Sequence, residues 1–284
     1  NTPKIMKIST PHRILSLLLT VISSSASAQT LGTAANYDIF VLNGGRITLK
    51  ESNQLFGQIG YTNGVNAGTN ETIQNFQGAV YVHTGASFSY KPATFNPSEG
   101  IFTSGYNSQL TQANTDALAY GSYLGGLTSD FSYTTKLQTG YSLTSTKAQT
   151  VIDFTEVDVK NFNFNLTGRA GQSDQIIIRI SDQLAFEGVH VNLTNLESKD
   201  VIWYLGSDRQ FSLHSGGGSF QGTIVSPLGK VIVGATDFKG ALYGKELVLG
   251  SGFKFQGNTV PEPSSSVMMI FGAASLLLVR RRKR

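Results

Sequence analysis

The chain has 284 residues, with 22 Lys+Arg against 18 Asp+Glu, a formal charge of +4, 31 glycines and only 14% charged residues. It contains no cysteine, which excludes a disulfide scaffold, a thiolate metal site and a cysteine nucleophile. Eight of the cations sit in the two terminal segments, leaving 14 against all 18 acids between Gln29 and Pro263, a net −4; the body thus lacks the basic footprint of a nucleic-acid binder.

The chain opens with Lys4, Lys7 and Arg13, then the apolar "ILSLLLTVISS" and the small-residue stretch "SASAQ". This order of charge, apolar run and small residues predicts a secretory signal peptide over 1–28, cleaved after Ala28 with Ala26 at the other small position. Met6 is read as the natural start, because "MKISTPHR" makes the better charged opening. About 230 residues remain, enough for one large domain over 29–259.

In the body, abundant Gly, Ser, Thr and Asn point to turn-rich β structure. "FQGAVYVHTGASFSY" at 76–90 carries the first F-x-G. One stretch breaks the β pattern: Leu110, Ala113, Ala117, Tyr120, Leu124 and Leu127 recur at steps of three and four. That spacing predicts one helix over about 108–127, capped by Asn107 or Ser108 and ended by Gly125-Gly126. "NFNFNLTG" alternates Phe162, Phe164 and Leu166 with Asn161, Asn163 and Asn165, apolar on one side and amide on the other. The asparagines either stack as a ladder or form a solvated face; alternation alone predicts the second.

From Phe186 onward aromatic residues recur at Trp203, Phe220, Phe238 and Phe255, in steps of 17 or 18, four of the five within F-x-G. Short β-branched runs lie between them. This predicts a mainly β fold, a β-solenoid with one flanking helix; an evenly spaced antiparallel sandwich is the alternative. The glycine after each aromatic suits a corner that needs positive φ or close backbone approach.

For chemistry, "DFTEVDVK" places Glu156 and Asp158 on one strand face, a pair that would serve calcium or a lyase-like site, although calcium wants six or more oxygens. His83, His190 and His214 have no metal-ligand spacing. "HSGGGS" lacks the lysine and helix of a phosphate loop and reads as a loop between coils. No catalytic, cofactor-binding or metal residue is assigned, and no cofactor is expected.

The tail reads "VPEPSSSVMMIFGAASLLLVRRRKR". Its uninterrupted apolar run, 267–279, would span roughly 20 Å as a helix, against a hydrocarbon core of ~30 Å. Arg280, Arg281, Arg282, Lys283 and Arg284 would hold the end on the cytoplasmic side. Pro261-Glu262-Pro263, a short apolar helix and a terminal arginine cluster together resemble the PEP-CTERM sorting signal of diderm bacteria that make exopolysaccharide. The resemblance implies recognition by an exosortase, removal of helix and cations after a membrane-held stage, and delivery to the envelope, surface or matrix. The marginal helix fits a temporary anchor.

The body resembles the choice-of-anchor A domain, an ice-binding-like adhesive module. "NYDIFVLNGGRITLKES" near the start, and "GTIVSP" and "GALYGKEL" near the end, follow its order. The resemblance implies a right-handed parallel β-helix and an adhesive role. The repeats "GTIVSP", "KVIVGA" and "KELVLG" show no rank of threonines, so ice is set aside. The expectation is a non-enzymatic surface protein that associates with exopolysaccharide and not with nucleic acid. The alternative is a β-helical polysaccharide-binding or polysaccharide-degrading enzyme, which would require Glu156, Asp158, Lys160, Arg169 or Arg179 clustered beside a deep cleft.

Overall fold

The computed structural model describes residues 30–50, 54–62, 67–69, 76–86, 88–90, 96–214, 216–234 and 236–258. The expected signal peptide with Ala26 and Ala28, the motif Pro261, Glu262 and Pro263, the membrane helix and the tail Arg280 to Arg284 lie outside the described residues. Among the described residues, no helix is long and apolar enough to cross a membrane.

The body is mainly β with one α-helix, and every strand pairing among the described residues is parallel. Parallel pairing rules out the antiparallel sandwich. Each turn of chain lays its strands on the turn before, in three stacked faces. The alternating burial of Gln149–Lys160, in which Val157 and Val159 point inward and Glu156 and Asp158 outward, shows why period-two runs suit this arrangement.

The order of turns in space departs from their order in the chain. Ile39–Leu49 pairs with Asp237–Leu249 on one side (Ile39 with Leu242) and with Ile59–Tyr61 on the other (Ile39 with Ile59). The first turns therefore stack on the last. The chain proceeds through Ala79–Val82 to Gly100–Phe102 at one end of the stack. A helix then returns it to Phe131–Tyr133 at the other end, from which it winds back to meet its own beginning.

That helix spans Asn107–Gly126, and at about 1.5 Å per residue it covers roughly 30 Å of the stack. Its stripe Leu110, Ala113, Ala117, Tyr120 and Leu124 is buried against outward side chains of one face, including Phe40, Ile177, Ile202 and Val225. Asn107 does not cap it; its Oδ1 accepts the Thr84 amide at 2.8 Å, and the first turn begins after Tyr106 without a side-chain cap. The helix ends at Gly126, as the Gly125-Gly126 pair predicts; at Gly121 and Gly125 an added Cβ would lie 3.3 Å from Pro227 and 3.1 Å from the Tyr204 hydroxyl, so these two glycines also permit close docking. The last carbonyls are held by Arg179, whose Nη1 donates to Leu124 O and Gly125 O at 3.1 Å and to Leu127 O at 2.7 Å.

The aromatic row is continuous inside the stack, with ring centroids 5.7 Å apart for Phe186–Trp203, 5.1 Å for Trp203–Phe220 and for Phe220–Phe238, and 5.4 Å for Phe238–Phe255. The uniform period of 17 is a different matter. Phe220, Phe238 and Phe255 are true register partners, whereas Phe186 pairs with Leu213 and Trp203 with Ile178 and Ile224. Turn length falls from 27 residues (Phe164 to Val191) to 17 (Phe238 to Phe255). Three faces contribute aromatics to one interior, and the equal sequence spacing arose from all three: Phe186 from one, Trp203 from the helix-covered one, and Phe220, Phe238 and Phe255 from the third.

Candidate functional site

The helix covers one face of the stack, and the other two carry outward polar rows among the described residues. On the second face the outward row Gln183, Gln210, Lys230, Glu246, Arg46 runs in register. It is largely self-satisfied. Glu246 binds Lys230 at 2.8 Å and also Arg46, and these cations hold its carboxyl below the usual range against the effect of burial. Glu156 and Asp158 share this face as the alternation predicts, and both bind Lys136 Nζ at 2.8 Å.

The residues required by the degrading-enzyme alternative do not converge. Lys160 pairs with Glu187 at 2.7 Å, and Arg179 grips Asp153 with Nε and Nη2 at 2.6 and 2.8 Å. Arg169 pairs with the buried Asp174 and lowers that carboxyl's pKa. None of the five lines the large groove described below on the third face. Among the described residues, no group of three or more His, Asp or Glu could hold a metal ion. His83 Nδ1 lies 2.9 Å from Thr84 O, and His190 Nδ1 lies 3.1 Å from Ser219 Oγ. Gly216 and Gly218 lie on the backbone of Gly188 and Val189 as a loop between strands.

The third face is rich in amides. Asn192 Nδ2 donates to Asn165 Oδ1 at 2.9 Å, and Asn165 Nδ2 donates to Ser142 Oγ at 3.1 Å, so the asparagines do form a ladder while remaining on the solvent side. Phe162 leaves the expected apolar side: Asn161 adopts φ 55°, the strand starts at Asn163, and the phenyl is exposed. Beside the ladder, Thr144, Thr167 and Thr194 stand in register. A search for threonine in the later repeats misses this short rank. Its signal is the tripeptide Asn-Leu-Thr, which occurs at 165–167 and 192–194, one turn apart.

Farther along the same face, where the last turn meets the first, lies a groove of about 1200 Å³. Its floor is the in-register row Gln221, Lys239, Gln256, Phe56 and Gln77, with Gln54 and the pair Lys254–Asp237 (3.4 Å) beside it. Asp38 marks the seam. Its carboxylate accepts the Gln58 amide at 2.9 Å and packs so close to Gly257 that an added Cβ there would lie 2.3 Å away. Burial pushes this carboxyl up to about 6, against the partial offset of backbone hydrogen bonds from Gln58 and Asn258.

A raised carboxyl pKa has a definite sign. The folded chain binds this proton more tightly than the unfolded chain, whose value is 3.8, so stability falls as pH rises from about 4 to about 6 and is level above. The term is on the order of 2–3 kcal/mol. Asp38→Asn should remove it: urea midpoints at pH 4, 5, 6 and 7 should show the native chain losing ground to the variant across that window. Parallel profiles would show that Asp38 does not titrate there. The carboxyls with lowered pKa, such as Asp130 and Glu246, act in the opposite sense and at lower pH.

Known proteins resemble the chain at two levels. The family described as ice-binding-like adhesive domain matches residues 16–255, and the PEP-CTERM protein-sorting motif, a signal recognised by an exosortase, matches 259–284. Among solved structures, an ice-binding protein from an Arctic yeast is similar at 17% identity and TM-score 0.57, over 84% of this chain and 97% of that one. An ice-binding domain from Shewanella frigidimarina is similar at 18% identity and TM-score 0.55, over 81% and 97%. An ice-binding protein from an Antarctic Flavobacteriaceae bacterium is similar at 19% identity and TM-score 0.52, over 80% of this chain and 48% of that one, so this chain spans about half of that relative. At these identities the likeness is one of fold. No curated protein matches the sequence.

Proposed function

The chain belongs to the family of ice-binding-like adhesive domains, and from that premise we propose that it is a non-enzymatic surface protein, exported by a diderm bacterium and associated with exopolysaccharide. The observation that carries this reading is the PEP-CTERM motif at 259–284, directly behind the last turn of a body in which, among the described residues, the helix packs on one of three stacked faces. Repeated weak contacts along such faces sum by avidity, which suits a polymer better than a small substrate.

In this reading the signal peptide is cut after Ala28, with Ala26 completing the small-residue site, and the body 29–259 winds outside the membrane as a right-handed β-solenoid. The helix at 267–279, with Arg280, Arg281, Arg282, Lys283 and Arg284 on the cytoplasmic side, holds it in the inner membrane. The exosortase then processes the chain at Pro261-Glu262-Pro263. The last described residue, Asn258, lies beside Asp38, where the first and last turns meet.

Intact mass and fractionation in the native host, with and without exosortase, test this. A species ending near Pro261 to Pro263, found in the envelope or matrix only when the exosortase is present, is the expected result. A mass that retains Arg280 to Arg284 in both strains would make the tail a plain anchor and refute the sorting step.

A further inference from the structure

We infer that the groove at the seam between the last and first turns is a binding site for a neutral polysaccharide chain. This deepens the proposed association with exopolysaccharide and rests on it for the identity of the polymer's source. Its geometry is independent of that reading. Gln221, Lys239, Gln256, Phe56 and Gln77 come from five successive turns and point the same way. Strand spacing of 4.7–4.9 Å makes the row roughly 19 Å long, enough for an oligosaccharide and too long for a single sugar. A volume of about 1200 Å³ agrees with that length.

The chemistry selects the ligand. A carboxamide both donates and accepts hydrogen bonds, as a sugar hydroxyl does, and a row of amides is matched by a row of hydroxyls. Among the described residues, the side-chain carboxamides of Gln54, Gln77 and Gln256 make no hydrogen bond. The other amide row on this face, Asn165 and Asn192, uses part of its capacity on itself. Phe56 is 37% exposed in the middle of the polar row, a flat apolar platform of the kind that packs on the C–H face of a pyranose. The lining holds Lys239 and Lys254 against Asp38, Glu99 and Asp237, an excess of one carboxylate, and Lys254 is paired with Asp237. An anionic polymer would meet carboxylates with too few cations to compensate. A neutral one needs only the amides and the ring.

Affinity electrophoresis of the mature protein purified from its host tests this, in gels containing dextran, hydroxyethyl cellulose, galactomannan or, as the anionic comparison, alginate. Retardation by at least one of the neutral polymers is expected. Phe56→Ala and Gln256→Ala should each weaken it about tenfold; Gln256 is exposed, so its variant should keep the native melting midpoint, whereas Phe56→Ala, which uncovers a partly buried ring, is assayed well below its own midpoint. Asn192→Ala, on the same face but outside the groove, should leave it intact. Retardation by alginate alone, or by none of the four, would overturn the inference. So would retardation lost in Asn192→Ala and kept in Phe56→Ala, although polymer association itself would then stand. Failure of the exosortase experiment, with retardation and its loss in Phe56→Ala preserved, would remove the sorting step and leave the groove.

Discussion

Gly240→Ala is expected to cost about 4 kcal/mol or more, enough to deplete the folded state of an ordinary domain. Gly240 has φ +147°, a conformation that side chains rarely adopt, and an added Cβ would lie 1.9 Å from the carbonyl oxygen of Gly222 in the turn below. That oxygen is backbone within a strand and cannot rotate away. The same clash recurs where Gly78 sits over Gly57 O, also at 1.9 Å, so the corner between the third face and the helix-covered face is built on direct glycine-to-carbonyl contact. Gly217→Ala supplies the control. Its φ is +74° and nothing lies within 4 Å of an added Cβ, so only the backbone term of about 1–2 kcal/mol remains. Urea unfolding followed by far-ultraviolet circular dichroism separates the two. Equal losses would mean that turn-to-turn contact at the corner contributes nothing beyond the dihedral cost.

Trp203→Ala should cost about 3–5 kcal/mol. The indole is fully buried between Phe164, Phe186 and Phe220, with centroids at 5.4, 5.7 and 5.1 Å, and its Nε1 donates to Gln221 O at 3.2 Å. It lies where rings from three faces meet, so neighbouring rings cannot close the cavity without leaving their own partners. Trp203→Phe keeps most of the volume and orphans the Gln221 carbonyl, at a cost of about 1–3 kcal/mol. Denaturant midpoints of both variants give the comparison. A loss below about 1 kcal/mol for the alanine variant would show that the interior collapses around the gap and is not a rigid aromatic stack.

The helix was legible in the sequence because its burial is periodic: every third or fourth residue from Leu110 to Leu124 meets the stack. Its ends fall within one residue of the expected 108–127, although Asn107 accepts from Thr84 instead of capping and Gly125 packs against Tyr204. The aromatic repeat marks interior positions without marking a single register, because spacing records how often a side chain points inward and not which face it comes from. The amide ladder illustrates the same limit. Alternation places Asn165 and Asn192 outside, but only their pairing across 27 residues puts one amide above the other.

By itself the sequence determined the β character of the body, its one helix, the inward aromatics and the sorting motif behind the last turn, all of which are written in composition or in short periods. The order of the turns was decided only in three dimensions. Ile39 lies on Leu242 because the helix carries the chain to the far end of the stack, so that the winding returns to its own beginning with a strand edge to satisfy on each side. Every backbone amide and carbonyl at that edge needs a partner, and any strand edge of the right length offers one. Side-chain fit at the seam selects the pairing: Asp38 against Gly257, and the buried Tyr243 hydroxyl donating to Tyr37 O at 2.8 Å. The same closure brings Gln256 beside Phe56 and so creates the groove.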